Sequence, residues 1–414
     1  MKITKFLNIL LLIALIKISF NHDLFSQTDV KMNINEIIKT AIENNQTIKS
    51  SSLNIKKENA VKLRSFNIPD PELFIEYNGI DGSLDNALER KIGIIQNIEF
   101  PTNYFLRSDV QNSQIRIAGE ELNIAVNSLR EDIKLNYNRL LLINELLEIA
   151  KDNLKTYEEF LFTAEKKYTA GATSNLEVLG AKVNKIKFEN EIKNLESEFR
   201  SSRLEIRKLM NVNYYITPAD EFIFRETAIS KSVLVQSAVS NNPELKMTEY
   251  QKEKFSNNYS LSKSELLPDF SFKYFRQKIG SDDNYWGMEL GLGIPLWFWW
   301  EPSGKIKESD YELQIASGEV NIMKNSIEIE IDKKLEEYEN NLRQVKFFNE
   351  EAIKEADEIL RQAKKSYEVG EIGYVEYLQA LNLAYDTQTQ YLNAIFNYNN
   401  TIINLEKITA GEIK

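Results

Sequence analysis

The second half of this 414-residue sequence repeats the order of the first half. Residues 41–45 (AIENN) return as residues 238–242 (AVSNN), an offset of 197 positions. Three further pairs keep the same order at offsets between 194 and 199: Pro71 with Pro268, Pro101 with Pro295, and Gly171 with Gly370. Units of this length are too long for a solenoid repeat. The sequence therefore predicts two pseudo-equivalent halves, 28–213 and 230–414, joined by a linker at 214–229.

Proline positions indicate where long helices can form. Six of the eight prolines lie within 69–101 and 268–302, and none lies within 102–217 or after residue 302. Proline breaks the interior of a helix, so the two proline-free tracts can be helical over their whole length.

The apolar pattern in these tracts is that of coiled coils. Apolar residues alternate at spacings of three and four from Leu140 to Tyr168, and again from Leu335 to Ala363 with Asn349 in the seam. Each tract breaks once near its middle, at a glycine-containing turn. We therefore predict two antiparallel helical hairpins, at about 105–213 and about 302–411.

Between the prolines, apolar residues recur at every second position, which is the pattern of a β-strand. This predicts strand pairs at about 72–100 and about 269–295. Runs of about 9–11 residues suit strands tilted across a bilayer. The tryptophans lie near strand ends, where membrane-interface aromatics are found: Trp286, Trp297, Trp299 and Trp300. Four strands cannot enclose a lumen, so closure requires several chains. The alternative, two amphipathic hairpins on a soluble core, is disfavoured because the helices are too long to fold back over them.

The first 27 residues predict a secretory signal peptide, because Lys2 and Lys5 precede a short apolar run at 6–16. An uncleaved anchor is the alternative, although the run is too short to span a bilayer. No later stretch is long and apolar enough for a transmembrane helix. Cleavage would remove His22, the only histidine, and the chain has no cysteine. This composition argues against catalysis, a metal site or a cofactor, and the net charge of −11 argues against nucleic acid.

From about residue 33 to 411 the sequence resembles the TolC-like outer-membrane efflux family. The resemblance rests on the duplicated order of helix, strand pair, long helix, turn and helix. It also rests on the turn motifs at 168–177 (YTAGATSNLE) and 367–376 (YEVGEIGYVE). It implies a mainly α fold in which long antiparallel hairpins form an α-barrel and four strands per protomer contribute to a twelve-strand transmembrane barrel in a homotrimer.

The resemblance also implies a function and partners. The protein would be a passive exit duct from the periplasm, embedded in outer-membrane lipids. A periplasmic adaptor would contact the hairpin turns and couple the duct to an inner-membrane pump. The exported substrate is not indicated. Two other classes are alternatives: a trimeric coiled-coil or adhesin-like stalk with a β anchor, and the periplasmic adaptor itself. A stalk usually carries its anchor at one chain end, and an adaptor is richer in glycine.

Candidate functional residues cluster at the two turns. The adaptor-docking candidates are Ala170, Gly171, Ala172, Val369, Gly370 and Glu371. Glycine there also suits an ordinary helix C-cap, because it accepts positive φ. Acidic rings in a pore favour cations, so Glu177 and Glu376 are candidates for an aperture ring. The alternative for both is a solvated carboxylate near a helix N-terminus.

Tyr168 and Tyr367 end the apolar seams beside the turns. We expect them either to hydrogen-bond across neighbouring hairpins and hold a closed state, or to pack in the seam. Some relatives have a basic residue where this chain has Ile372, which argues against a salt-linked latch there.

Overall fold

The computed structural model describes residues 29–79, 88–297 and 299–413. The predicted signal peptide, with His22, lies outside these residues. The helices are α1 (Ile34–Asn44), α2 (Gln46–Lys62), α3 (Pro101–Thr169), α4 (Asn175–Met210), α5 (Lys231–Asn241), α6 (Pro243–Ser264), α7 (Glu301–Phe347), α8 (Ile353–Val369) and α9 (Tyr374–Thr409). The strands are β1 (Asp29–Met32), β2 (Glu72–Asn78), β3 (Glu89–Ile98), β4 (Tyr215–Pro218), β5 (Asp269–Ile279) and β6 (Asp282–Gly293).

The two predicted hairpins are present. In the first, α3 is followed by α4, and in the second, α7 and α8 are followed by α9. A short π-helical segment, Phe348–Ala352, joins α7 to α8 and contains Asn349, the polar residue in the second seam. The Tyr391 hydroxyl donates to the Asn349 side chain at 3.0 Å. In the described part of the chain, no helix is both long and apolar enough to cross a membrane.

The helices that precede each strand pair also repeat. The pair α1 and α2 begins at residues 34 and 46, and the pair α5 and α6 begins 197 positions later, at 231 and 243. Ala41 and Ala238, equivalent by this offset, are both fully buried. The offset found in the sequence therefore holds at the level of single helical positions.

The chain divides into two compact units, and the division falls within α3, α7 and α9. The first unit comprises Met1–Asn45, Leu129–Arg225 and Asn341–Asn400. It contains both helical turns and a parallel pair of β1 with β4, in which Asp29 lies opposite Tyr215. The sequence predicted only a linker around β4.

Tyr137 of α3 anchors this parallel pair. Its hydroxyl donates to the Asp220 carboxylate at 2.9 Å and accepts the backbone N–H groups of Ala219 and Asp220, each at 3.2 Å. Arg203 of α4 forms an ion pair with Asp29 of β1. These polar contacts hold the connection between the two repeats against α3 and α4.

The second unit comprises Gln46–Ser128, Glu226–Asn340 and Thr401–Lys414. Its apolar core includes Leu245, Ile331 and Leu405, all fully buried. Asn242 caps α6, because its side chain accepts the Leu245 N–H at 2.9 Å and donates to the Ile408 carbonyl at 2.9 Å.

The second unit also holds the strand pairs, joined into one antiparallel sheet of order β2-β3-β5-β6. Leu73, Ile94, Tyr274 and Met288 lie side by side across the four strands, and so do Glu76, Lys91 and Gln277 on the opposite face. The period-two alternation in the sequence therefore gives one predominantly apolar face and one more polar face.

Candidate functional site

At each helical turn a glycine adopts the left-handed conformation, as the sequence predicted. Gly171 has φ of 71° and Gly370 has φ of 82°. The Ala172 N–H donates to the Lys167 carbonyl and the Glu371 N–H to the Ser366 carbonyl, both at 2.8 Å, which closes the helix ends. A Cβ at either glycine would meet no atom within 4 Å, so backbone conformation alone requires glycine there.

The docking candidates at these turns share one property, exposure to solvent. Val369 is 73% exposed. The others are exposed as well: Ala170, Gly171, Ala172, Gly370 and Glu371. The two turns thus present backbone and small side chains to a partner.

Glu177 lies in the first turn of α4 but is only 6% exposed. Its carboxylate accepts hydrogen bonds from the hydroxyls of Tyr367 and Thr173. A buried carboxylate is costly unless hydrogen-bonded, and these two donors supply that stabilisation. For Glu177, therefore, the interpretation as a solvated carboxylate is wrong.

Tyr367 is the donor from the second repeat, and it is 4% exposed. Its ring stacks on Tyr377 at 4.9 Å between centroids and meets the edge of Phe160 at 5.5 Å. The Lys167 ammonium lies 3.8 Å from the ring centroid and donates to the Tyr367 carbonyl at 2.8 Å. Burial, followed by the hydrogen bond to Glu177, raises the pKa of Tyr367 above its ordinary value.

Tyr168 and Glu376, the repeat equivalents of Tyr367 and Glu177, lie in a different environment. Tyr168 is 47% exposed, and Glu376 is exposed in the first turn of α9. The structure thus brings together Glu177 and Tyr367 and leaves Tyr168 and Glu376 on the surface. Ile372, at the position considered for a basic latch, packs against the aromatic cluster around Tyr367.

Further tyrosine hydroxyls bridge the two repeats, and the sequence interpretation missed them. Tyr385 of α9 donates to Glu191 of α4 at 2.5 Å, and Tyr157 of α3 donates to Asn382 of α9 at 2.8 Å. The available signal was the series of tyrosines in α9, at 377, 385, 391 and 398, which recur at roughly one heptad.

The polar face of the sheet carries a network of opposite charges. Lys91 pairs with Glu89 at 3.0 Å and with Glu76 at 3.5 Å, and Lys273 lies 3.9 Å from both Glu76 and Glu289. The apolar face is open to solvent in the single chain. Its exposed members include Leu73 at 84%, Ile75 at 61%, Leu290 at 80% and Leu292 at 62%.

The predicted interface tryptophans lie toward opposite ends of β6. Trp286 pairs with Arg276 near the β5–β6 turn and is 65% exposed. Trp297 and Trp300 follow the other end of the strand, with ring centroids 6.4 Å apart, and Trp299 lies 5.4 Å from Trp297. Exposed aromatic rings therefore lie near both ends of this strand.

Fold and site together define a duplicated helical-hairpin protein with a small amphipathic sheet, the class of the outer-membrane efflux proteins. Residues 96–212 and 234–411, more than half of the chain, match the family described as outer membrane efflux protein. The chain belongs to the outer membrane efflux protein family. No curated protein sequence gave a significant match.

Solved structures of similar fold include outer-membrane proteins and channels. CusC, whose structures describe folding and transmembrane channel formation, is 15% identical, with a TM-score of 0.75 over 94% of this chain and 96% of CusC. VceC of Vibrio cholerae is 14% identical, with a TM-score of 0.73 over 92% and 97% of the two chains. The open state of MtrE from Neisseria gonorrhoeae is 15% identical, with a TM-score of 0.73 over 95% and 94%. These likenesses confirm the predicted fold.

Proposed function

We propose that the chain is one subunit of a homotrimeric exit duct in the outer membrane. Three copies of the four-stranded sheet close into one barrel among the lipids, and the helical hairpins form a periplasmic tunnel beneath it. The duct is a passive conduit. A periplasmic adaptor contacts its turns and couples it to an inner-membrane pump.

The sheet is the observation that carries this proposal. One face bears exposed apolar side chains such as Leu73 and Leu290, and the other bears Lys91, Lys273 and their acidic partners. A transmembrane barrel has this distribution, with apolar residues toward lipid and polar residues toward the lumen. Strands β2 and β6 are the sheet edges. Pairing between chains would satisfy their free backbone groups, as a closed barrel requires.

The turns and their carboxylates fit the periplasmic end of such a duct. The exposed backbone at Gly171 and Gly370 is the proposed adaptor contact. The hydrogen bond from Tyr367 to Glu177 joins the two hairpins of one subunit beside these turns. We assign it a role in holding the resting state, and we assign Glu376, which is exposed in the single chain, a role in cation preference when the aperture is open. Trp286, Trp297, Trp299 and Trp300 are assigned to the membrane interfaces.

Purification in detergent and reconstitution into planar bilayers test the proposed function. We expect a trimer whose electrophoretic mobility changes on heating, and an ion conductance across the bilayer. A stalk would give a trimer without conductance. An adaptor would purify as a stable protein without detergent, and either result would overturn the proposal.

A further inference from the structure

We infer that Tyr168 of one subunit donates to Glu376 of a second copy, and so repeats between subunits the bond that Tyr367 and Glu177 make within one chain. This inference rests on the proposed trimer and extends it to a specific contact. The occupant of the exposed Glu376 surface is thus a second copy of this chain.

The numbering of the repeats supports the pairing. Tyr168 and Tyr367 are 199 positions apart, and so are Glu177 and Glu376. Within one chain the tyrosine that ends the first helix of the second hairpin binds the glutamate that opens the second helix of the first hairpin. Tyr168 and Glu376 are the remaining tyrosine and glutamate of the two repeats, and both are exposed in the structure.

The first hairpin shows how its groove is occupied. The groove between α3 and α4 includes Phe160, Ala164, Glu177 and Ala181, all buried. The second hairpin covers it. Tyr367 lies against Phe160 and Glu177, and Tyr374 lies so close to Gly180 that a Cβ there would be 3.3 Å from its ring.

The second hairpin carries the same groove, and it is open. It is lined by Ile359, Ala363, Ile372, Glu376, Ala380 and Leu383. Four of these are the 199-position equivalents of the buried residues in the first groove: Ile359, Ala363, Glu376 and Ala380. Ile359 is 45% exposed and Leu383 is 46% exposed. The groove therefore has small residues at its base, apolar residues at its edges and a carboxylate, which is the combination that binds a tyrosine in the first hairpin.

A second copy supplies the matching group. Tyr168 is 47% exposed beside the turn of the first hairpin, so its hydroxyl is accessible to another chain. In the part of the chain that the structure describes, the side chains of Tyr168 and Glu376 make no hydrogen bond or ion pair. Placing the first hairpin of one copy on the second hairpin of another is a head-to-tail contact, which generates a ring when the rotation closes.

The two contacts are not equal in strength. Tyr367 has Lys167 over its ring and Tyr377 stacked on it. The positions equivalent to Lys167 and Tyr377 around Tyr168 are Ser366 and Val178. The contact between subunits therefore lacks the cation and the aromatic stack, and it is the weaker of the two.

Chemical cross-linking tests the inference, because the native chain has no cysteine. A tyrosine–carboxylate bond holds its Cα atoms farther apart than the about 4.4–6.8 Å of a disulfide, so a short bismaleimide is the reagent. The full chain with Tyr168→Cys and Glu376→Cys is treated in outer-membrane preparations and then denatured. We expect covalent dimers and trimers from the double variant and monomers from each single variant. The control pair, Glu177→Cys with Tyr367→Cys, should cross-link within one chain and stay at monomer mass.

The outcomes separate this contact from the proposed function. An intact trimer without cross-links between subunits at 168 and 376 would overturn the contact and leave the duct standing. Absence of any trimer would overturn both. Tyr168→Phe and Glu376→Gln provide a second measurement that needs no cysteine. Each should raise resting conductance by at least roughly two- to tenfold, the range for one lost hydrogen bond, because the ring loses three, and the double variant should add little more. Additive effects would contradict a direct bond.

Discussion

The Tyr367 hydroxyl donates to the Glu177 carboxylate across the two sequence repeats, and both side chains are more than nine-tenths buried. Neither group could be removed without leaving the other short of a partner in a dry environment. The bond therefore affects both the stability of the hairpin tips and the ease with which the two hairpins separate.

Tyr367→Phe should test this bond directly, because it removes the hydroxyl and keeps the ring stacked on Tyr377. We expect a loss of about 1–3 kcal/mol in the free energy of unfolding, since a buried acceptor loses its donor. Resting conductance in bilayers should rise. Tyr311→Phe is the control, because Tyr311 is 62% exposed. Equal effects of the two substitutions on stability would count against the assigned role.

Alkaline pH should destabilise the unit that contains the buried tyrosines. Burial raises the pKa of Tyr137 to about 12. A folded-state pKa above the unfolded value of about 10 means that the folded state retains a proton that the unfolded state loses. The stabilisation is therefore complete below about pH 10 and is lost as the pH rises through about 12. Melting temperatures measured from pH 8 to pH 12 should fall, with a shallower slope for Tyr137→Phe. An unchanged slope in that variant would exclude Tyr137 as a contributor.

The turn glycines should be intolerant of a side chain for conformational reasons alone. Gly171→Ala and Gly370→Ala should each cost about 1–2 kcal/mol, because φ is positive and no neighbouring atom clashes. Gly119→Ala and Gly318→Ala are matched controls within long helices, where a Cβ also meets nothing within 4 Å. They should be neutral or stabilising by up to about 1 kcal/mol. Chemical denaturation of the four variants checks the difference, and similar losses at all four positions would contradict it.

The two faces of the sheet should respond oppositely to a charge. Leu290→Lys places an ammonium on the apolar face, and we expect a cost of about 2–4 kcal/mol if that face meets lipid. The yield of heat-modifiable trimer in the outer membrane should fall accordingly. Ser271→Lys adds the same charge on the polar face, where Ser271 lies opposite Gly291, and should be tolerated. Loss of trimer only in Ser271→Lys would reverse the assignment of the faces.

The long helices and the sheet were predictable because their signals are local. Absence of proline and a sustained three-four spacing define α3, and strict alternation defines β6. The pairing of β1 with β4 was not predictable, because each strand has four residues and its partner lies 186 positions away. The sequence of a four-residue segment is too short to identify such a distant strand partner.

The candidate site was predictable in composition but not in arrangement. Both repeats present a tyrosine, a turn glycine and a glutamate at the same spacing, so the sequence ranks them equally. Packing of the two hairpins then buries Tyr367 with Glu177 and exposes Tyr168 and Glu376. Which member of each pair is buried depends on tertiary contacts with the opposite repeat, and a local pattern does not contain that information.

Two glycines allow aromatic rings to lie flat on the more polar face of the sheet. A Cβ on Gly287 would be 2.4 Å from the tip of the Phe275 ring, and a Cβ on Gly93 would be 2.7 Å from the Phe74 ring. Each ring therefore lies across its neighbouring strand instead of projecting away from it. In the proposed barrel this flat arrangement would widen the bore, so the diameter available to a solute at that level would depend on two missing methyl groups.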